Sequence, residues 1–275
     1  MNAQTSIRLG IFILLSLILF AFVAPILSSF EPNSTHLVDK NSAPNEVHPF
    51  GTDDLGRDLL VRVASAVRLS LFVGALAAVI DLLIGVLWGM GAALGGFKLD
   101  QVLMSIADML YSIPYLLVVL LLTVVVGQGF LPIFLAMVLV GWVQMARIVR
   151  AQTVAVKDAE YVLASRILGS KTTTIFFTHM MPNIIGPILA ATVLSIPQAI
   201  FSEAFLSFLG IGIQPPQASL GSLVADALPA LRYYPWRLFF PAGAITLLVL
   251  GLTLLSDGLR DLYDPRQRIL KGDIV

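Results

Sequence analysis

The 275-residue chain is too apolar for a soluble domain, because only 12% of its residues are charged, against about 25% in soluble domains, and its mean hydropathy is +0.90. Its net charge of zero excludes the basic footprint of a nucleic-acid-binding protein, and the lack of cysteine excludes disulfides, thiolate metal sites and a cysteine nucleophile. We therefore predict an all-α, polytopic membrane protein.

Six apolar runs predict transmembrane helices, since a bilayer core takes about 20 helical residues. In chain order they are 7–27, 67–94, 106–126, 131–146, 184–209 and 238–255. The first run is about twice as long as the apolar region of a signal peptide, and no A-x-A cleavage site follows it. We therefore predict that it is a retained helix.

A charged stretch precedes the second run. Three aspartates alternate there with three arginines, namely Asp53, Asp54, Asp58, Arg57, Arg62 and Arg68. The letters "GTDD" offer an N-cap and carboxylates for a first helical turn. The stretch predicts an interfacial amphipathic helix.

The second run contains four glycines, Gly85, Gly89, Gly91 and Gly95. Small residues four apart let another helix approach closely. We predict that this close packing occurs within the chain, and a contact with another subunit is the alternative.

Two carboxylates, Asp81 and Glu203, lie inside apolar runs. Charge within a membrane is costly, so such a residue marks a transport pathway or belongs to a hydrogen-bonded structural group. We predict a structural role for Asp81 and leave both roles open for Glu203. As a pair they would also suit an intramembrane protease or an ion-coupled carrier, but neither H-E-x-x-H nor G-x-S-x-G accompanies them.

A polar insert separates the fourth and fifth runs. Asp158 is the predicted N-cap of a short helix with apolar residues at helical spacing, and Gly169 is its predicted left-handed stop. A second short helix over 171–181 and a break at Pro182 complete the predicted insert. Tyr161 is the one aromatic residue of the first helix and the charges are mixed, which favours docking to a protein over lying on lipid.

The distribution of basic residues predicts that both termini and the insert are cytoplasmic. This orientation assigns eleven Lys and Arg residues to the cytoplasmic side: Arg8, Lys98, Arg147, Arg150, Lys157, Arg166, Lys171, Arg260, Arg266, Arg268 and Lys271. It assigns six to the outer side: Lys40, Arg57, Arg62, Arg68, Arg232 and Arg237.

The insert carries a family resemblance. "YVLASRILGSKTTTIFFTHMMPN" resembles the EAA loop of permease subunits of bacterial ABC importers, in the form typical of the peptide and nickel branch. The matching positions are Tyr161, Val162, Ala164, Ser165, Arg166, Gly169, His179, Met181, Pro182 and Asn183. The segments "HPFGTDDLGRDLLVRV" (48–63), "EAFLSFLGIGIQPPQASLG" (203–221) and "DGLRDLYDPR" (257–266) also resemble this branch, whose C-type permease subunit is the most similar type.

The resemblance implies about six transmembrane helices with a cytoplasmic coupling helix at 158–169. Its ATPase-coupling residues would be Glu160, Tyr161, Ala164, Ser165, Arg166 and Gly169. Residues 1–66 would form a transmembrane helix with an outer segment, and residues 67–275 the permease domain.

The resemblance also implies the partners. They are a second, homologous permease subunit, two ABC ATPase subunits, an extracytoplasmic substrate-binding protein and membrane lipid, without nucleic acid. ATP and Mg²⁺ would be used by the ATPases, and this chain would bind no cofactor and catalyse nothing. Indeed, "LGSKTTT" lacks the glycine that precedes the lysine of a Walker loop.

The expected cargo is a dipeptide or oligopeptide. Nickel or another small solute is the alternative within the same branch. His36 and His48 in the outer segment are candidate nickel ligands, whereas His179 is predicted to be structural. An ion-coupled secondary carrier is a more distant alternative, and it leaves the polar insert without a role.

Overall fold

The computed structural model describes residues 3–263, and regular structure in this range is helical apart from one isolated bridge between Thr52 and Asp58. The helices are α1 (Ala3–Leu27), α2 (Leu59–Leu94), α3 (Phe97–Ser112), α4 (Tyr115–Val126), α5 (Phe130–Val156), α6 (Glu160–Ile167), α7 (Thr172–Phe208), α8 (Leu220–Ala227) and α9 (Trp236–Tyr263). The basic residues Arg266, Arg268 and Lys271, and the end of the 257–266 motif, lie outside the described residues.

Five of these helices are long and apolar enough to cross a membrane, namely α1, α2, α5, α7 and α9. The pair α3 and α4 makes a sixth span if it is counted as one. The prediction of an all-α polytopic membrane protein is therefore confirmed.

The third predicted run was wrong as a continuous helix. α3 and α4 meet at an angle of 77°. The break follows from Pro114, which disfavours helical geometry in the residue before it. Ile113 accordingly has an extended backbone, with φ −84° and ψ 121°.

The predicted break at Pro182 was also wrong, because α7 runs from Thr172 through this proline without interruption. A π-helical turn at Phe176–Met180 immediately precedes Pro182, and the Asn183 side chain donates to the His179 carbonyl at 2.6 Å. Membrane helices tolerate proline where local departures from α geometry, such as this π-helical turn, accommodate the ring. The second short helix predicted for the insert is therefore the first part of a span.

The helices form one bundle in which α1 packs along α9 and α2, and α7 packs against α2, α5, α8 and α9. Gly85 and Gly89 of α2 lie directly against α5. A Cβ at Gly89 would be 2.4 Å from the carbonyl oxygen of Ala146, so only glycine permits this approach. The predicted close packing within the chain is confirmed at these two glycines.

Residues 28–58, which we call the cap segment, lie at one end of the bundle. The predicted amphipathic helix is wrong here. Residues 51–58 form a turn closed by the Thr52–Asp58 bridge, and α2 begins only at Leu59. The charges that suggested a helical surface are instead used in contacts: Asp53 accepts from the Arg57 side chain at 2.6 Å and lies 3.5 Å from the buried Arg62.

Asp58 joins the cap segment to α2. One carboxylate oxygen accepts from the Val61 amide at 3.0 Å and so caps the helix, and the other lies 2.8 Å from Nδ1 of the buried His48. The Phe30 ring covers His48, with ring centroids 4.5 Å apart. His48 therefore has a structural partner, which does not support its role as a free nickel ligand.

The cap segment also contacts the first turn of α9. Arg237 donates to Asn41 at 3.0 Å and to Asp54 at 3.4 Å, and the ring of Phe50 stacks on Phe240 at 3.9 Å. These contacts connect the turns of α2 and α9 nearest the cap segment through residues far apart in sequence.

We expect Asp58→Ala to lower the free energy of unfolding by about 1–3 kcal/mol, because it removes a helix cap and leaves the buried His48 ring without its acceptor. The measurement is thermal unfolding of the purified protein. Asp39→Ala is the control: the Asp39 side chain is 45% exposed and lies 4.0 Å from His48. Equal losses of stability in the two variants would contradict this assignment.

Candidate coupling helix and intramembrane carboxylates

α6 lies at the end of the bundle opposite the cap segment, between α5 and α7. The predicted N-cap, Asp158, was wrong. Ala159 occupies that position, with an extended backbone (φ −64°, ψ 147°), and its carbonyl accepts the Leu163 amide at 3.0 Å. The helix start therefore has no side-chain cap.

The C-terminus of α6 ends as the sequence predicts, at Gly169. Its φ is +80°, a left-handed conformation that disfavours other L-residues. The Gly169 amide bonds to the Arg166 carbonyl at 3.0 Å, and the Ser170 amide bonds to the Ser165 carbonyl at 3.2 Å. These two bonds form a Schellman motif, which fixes the direction in which the chain leaves α6.

One side of α6 is anchored in the bundle. Val162 is completely buried and Ser165 is 7% exposed, one helical turn apart. Val162 belongs to an apolar cluster, which we call the anchor cluster, that also contains Val86 of α2, Met145 and Val149 of α5, and Ile175, Phe176, Met180, Ile184 and Ile188 of α7. α6 thus contacts the first turns of α7 directly, and the cluster connects it to α2 and α5.

The other side of α6 is exposed. Ile167 and Leu168 are 86% and 85% exposed, and the other exposed members of the segment are Glu160, Tyr161, Leu163, Ala164, Arg166 and Gly169. Neither Glu160 nor Arg166 has an ion-pair partner within residues 3–263. Of the predicted coupling residues, Ser165 alone faces the bundle, so it would act through packing. The others lie where a partner can contact them.

Asp81 lies beside a small cavity with a partly polar lining, which we call the Asp81 recess. Its volume is about 70 Å³, and α2, α5 and α7 line it through Asp81, Gly141, Gln144, Met145, Ile148, Ala191, Leu194, Ser195 and Gln198. Two helices depart from α geometry at this point, in π-helical turns at Asp81–Gly85 and Met137–Gly141. A Cβ at Gly141 would lie 3.6 Å from the Asp81 carboxylate. The structure therefore gives Asp81 a partly polar opening beside it.

Gln144 and Gln198 were not singled out from the sequence. Both are exposed, and in the described part of the chain neither side-chain amide has a hydrogen-bond partner. Two glutamines inside apolar runs are a signal that the sequence does contain. Their convergence on Asp81 depends on tertiary packing.

Glu203 is in a different environment, fully buried at the junction of α7, α2 and α8. The Ser207 hydroxyl donates to it at 2.7 Å and in turn accepts the Ile213 amide at 3.1 Å. The Ser70 and Ser219 hydroxyls lie next to it. These contacts favour a structural role for Glu203 over a pathway role.

For the transport activity that the resemblance implies, Glu203→Gln should leave uptake within about twofold of the unmodified protein, because the amide keeps an acceptor for Ser207. Glu203→Ala should destabilise the protein by about 2–4 kcal/mol, since it leaves a cavity and an unpaired hydroxyl. Uptake and thermal unfolding of the complex measure the two effects. A loss of uptake in Glu203→Gln with unchanged stability would favour the pathway role instead.

Comparison with known proteins decides the family. Residues 82–269 match the family described as "Binding-protein-dependent transport system inner membrane component". The chain belongs to this family. The oligopeptide transport system permease protein OppC of Bacillus subtilis (strain 168) is 49% identical over 94% of this chain and 85% of its own length. The dipeptide transport system permease protein DppC of the same organism is 47% identical over 94% of this chain and 81% of its own length. OppC of Escherichia coli (strain K12) is 40% identical over 94% of this chain and 86% of its own length.

The family prediction is thus confirmed, and the chain is a membrane-spanning member of a family of inner-membrane transport components. A binding-protein-dependent system has more than one component, so this permease works with further subunits. The family match begins at residue 82, and the division of the permease at residue 66 stays a prediction.

Proposed function

We propose that the chain is one of two homologous permease subunits of an ATP-driven importer of peptides, and that α6 is the helix through which it couples to an ATPase subunit. The observation that carries the proposal is α6 itself. One side of this helix is packed into the anchor cluster through Val162, and the other presents unpaired charges and large exposed apolar side chains. A surface of this kind suits the groove of a protein partner.

The assembly contains the second permease subunit, two ABC ATPases and an extracytoplasmic substrate-binding protein, all surrounded by lipid. ATP and Mg²⁺ are held by the ATPases, where hydrolysis takes place, and this chain binds neither. α6 and both termini are cytoplasmic. The excess of Lys and Arg on that side supports the orientation.

The role of α6 in transport follows from its anchoring. When the ATPases close on ATP, they move the docked α6, and the anchor cluster passes the displacement to α2, α5 and α7. These helices then rock between inward-open and outward-open arrangements. Peptide is the proposed cargo because the similar permeases are named for oligopeptide and dipeptide transport.

The test is reconstitution of the complete importer in proteoliposomes with its binding protein and a labelled di- or tetrapeptide. We expect uptake that requires ATP inside and the binding protein outside. In the same vesicles, Leu168→Cys should crosslink to an ATPase subunit. Uptake driven by a proton gradient without the ATPase would overturn the proposal. Uptake of Ni²⁺ instead of peptide would show that the proposed cargo is wrong. If Leu168→Cys crosslinked only to lipid, the proposed role of α6 in coupling to the ATPase would be wrong.

A further inference from the structure

The Asp81 recess lies inside the hydrocarbon layer. Arg68 and Leu94 bound the apolar part of α2. At 1.5 Å per residue this part is about 39 Å long, enough to cross the bilayer core of about 30 Å with some tilt. Asp81 is about 20 Å from either end on the same scale. A carboxylate at that depth requires water, a partner or a ligand.

Two polar side chains of the recess are unsuited to contact with lipid. Gln144 of α5 and Gln198 of α7 are exposed there without a hydrogen-bond partner among residues 3–263, and Ser195 of α7 also lines the recess. Lipid tails offer no hydrogen bonds, so polar groups at this depth face water or another protein surface. Leu83, on the opposite side of the same turn of α2, is 62% exposed and apolar, as a lipid-facing residue would be. The two sides of α2 therefore differ in the way a pathway wall and a lipid face differ.

We propose that the Asp81 recess lines the transport pathway and receives the N-terminal ammonium group of the passing peptide. This proposal rests on the proposed function. One carboxylate with two amides and a hydroxyl suits a single positive charge carrying three N–H donors. An N-terminal ammonium is present whatever the side chains, so one site of this kind serves peptides of varied sequence. A hard divalent cation takes several carboxylate or carbonyl oxygens, and the recess has one carboxylate.

The natural lack of cysteine allows a direct test, since each introduced thiol is then the only one in this chain. Gln144→Cys and Gln198→Cys are made in the complete importer, with Leu83→Cys as the control at the same depth. Each is treated with aminoethyl methanethiosulfonate, which carries an ammonium, and with the anionic sulfonatoethyl reagent. Labelling is read on the separated subunit. We expect both recess positions to react at least about tenfold faster than position 83, because membrane-buried thiols are protected from aqueous reagents.

Addition of Asp81→Asn isolates the role of the carboxylate. We expect the ratio of cationic to anionic labelling rates at position 144 to fall about tenfold, as loss of one nearby charge in a poorly screened site requires. Taking the ratio removes any change in the reactivity of the thiol itself. A peptide with a free amino terminus should slow the labelling, and the same peptide with an acetylated amino terminus should not.

The possible results separate clearly. Equal rates at positions 144 and 83 would show that the recess is not in the pathway. An unchanged ratio in Asp81→Asn, or equal protection by the acetylated peptide, would overturn the ammonium site while leaving the pathway assignment. ATP-driven uptake by the unmodified importer is measured in parallel. Its absence would remove the proposed function, whereas failure of the labelling results alone would remove only this inference.

Discussion

Ile167→Asp should prevent stable assembly of the permease with its ATPase subunits while leaving the bundle folded. Ile167 is 86% exposed, so the substitution disturbs nothing inside the chain. In the docked state the side chain would be buried, and loss of its burial costs about 1.5–3 kcal/mol, or roughly tenfold to a hundredfold in affinity. An aspartate carboxylate in the interface adds a desolvation cost. Co-purification of the ATPase with the permease measures the effect.

Val38→Asp is the control for this experiment. Val38 is 99% exposed and lies in the cap segment, at the opposite end of the bundle. It should retain the ATPase at the level of the unmodified permease. Retention of the ATPase by Ile167→Asp at equal expression would contradict docking through α6, and loss in both variants would point to a general effect of added charge.

Substitution of Gly169 should separate ATP hydrolysis from transport. A Cβ at this position would have no heavy atom within 4 Å, so the effect of a substitution is confined to the backbone. With φ at +80°, a residue other than glycine costs about 1–2 kcal/mol, and a β-branched residue costs more. Gly169→Val should therefore change the direction in which the chain leaves α6. We expect peptide uptake to fall about tenfold or more while ATP hydrolysis continues, a change equivalent to about 1.4 kcal/mol in coupling.

A graded series makes the Gly169 prediction specific. Asparagine tolerates the left-handed conformation, so Gly169→Asn should retain most of the uptake, and Gly169→Ala should be intermediate. Uptake and ATPase activity are measured in proteoliposomes at equal permease content. A series ordered by side-chain volume rather than by tolerance of positive φ would contradict the backbone explanation, as would full uptake in Gly169→Val.

The helix ends that depend on a single residue type could be predicted from the sequence. The stop at Gly169 was correct because a left-handed C-cap depends on a single residue type. The predicted N-cap at Asp158 was wrong by one position. Ala159 adopts the cap geometry, and alanine has no side-chain acceptor by which a cap could be predicted from the sequence. Pro114 carried a signal for the break between α3 and α4, but the apolar run around it suggested continuity.

Features made by tertiary contact could not be predicted from one sequence. The charges of the cap segment were interpreted as a helical surface, because their partners, such as Asn41 for Arg237, are far away in the chain. The recess is lined by residues from three helices, whose packing one sequence does not show. The π-helical turn at Asp81 does not change the pattern of apolar residues, so it could not be predicted either. The position of α6 could be predicted from the sequence, whereas the side of the helix on which each of its residues lies could not.

Met145 belongs both to the anchor cluster and to the lining of the Asp81 recess. Ala191, which packs against that cluster, lines the recess as well. The core around α1 and α9 is a separate apolar cluster, but α9 is also joined to α7 next to Ala191, where the Ser256 hydroxyl donates to the Ala190 carbonyl at 3.0 Å. Under the proposed function, a displacement of α6 would therefore reach the peptide across the width of two side chains, and α9 would sense it through one hydrogen bond.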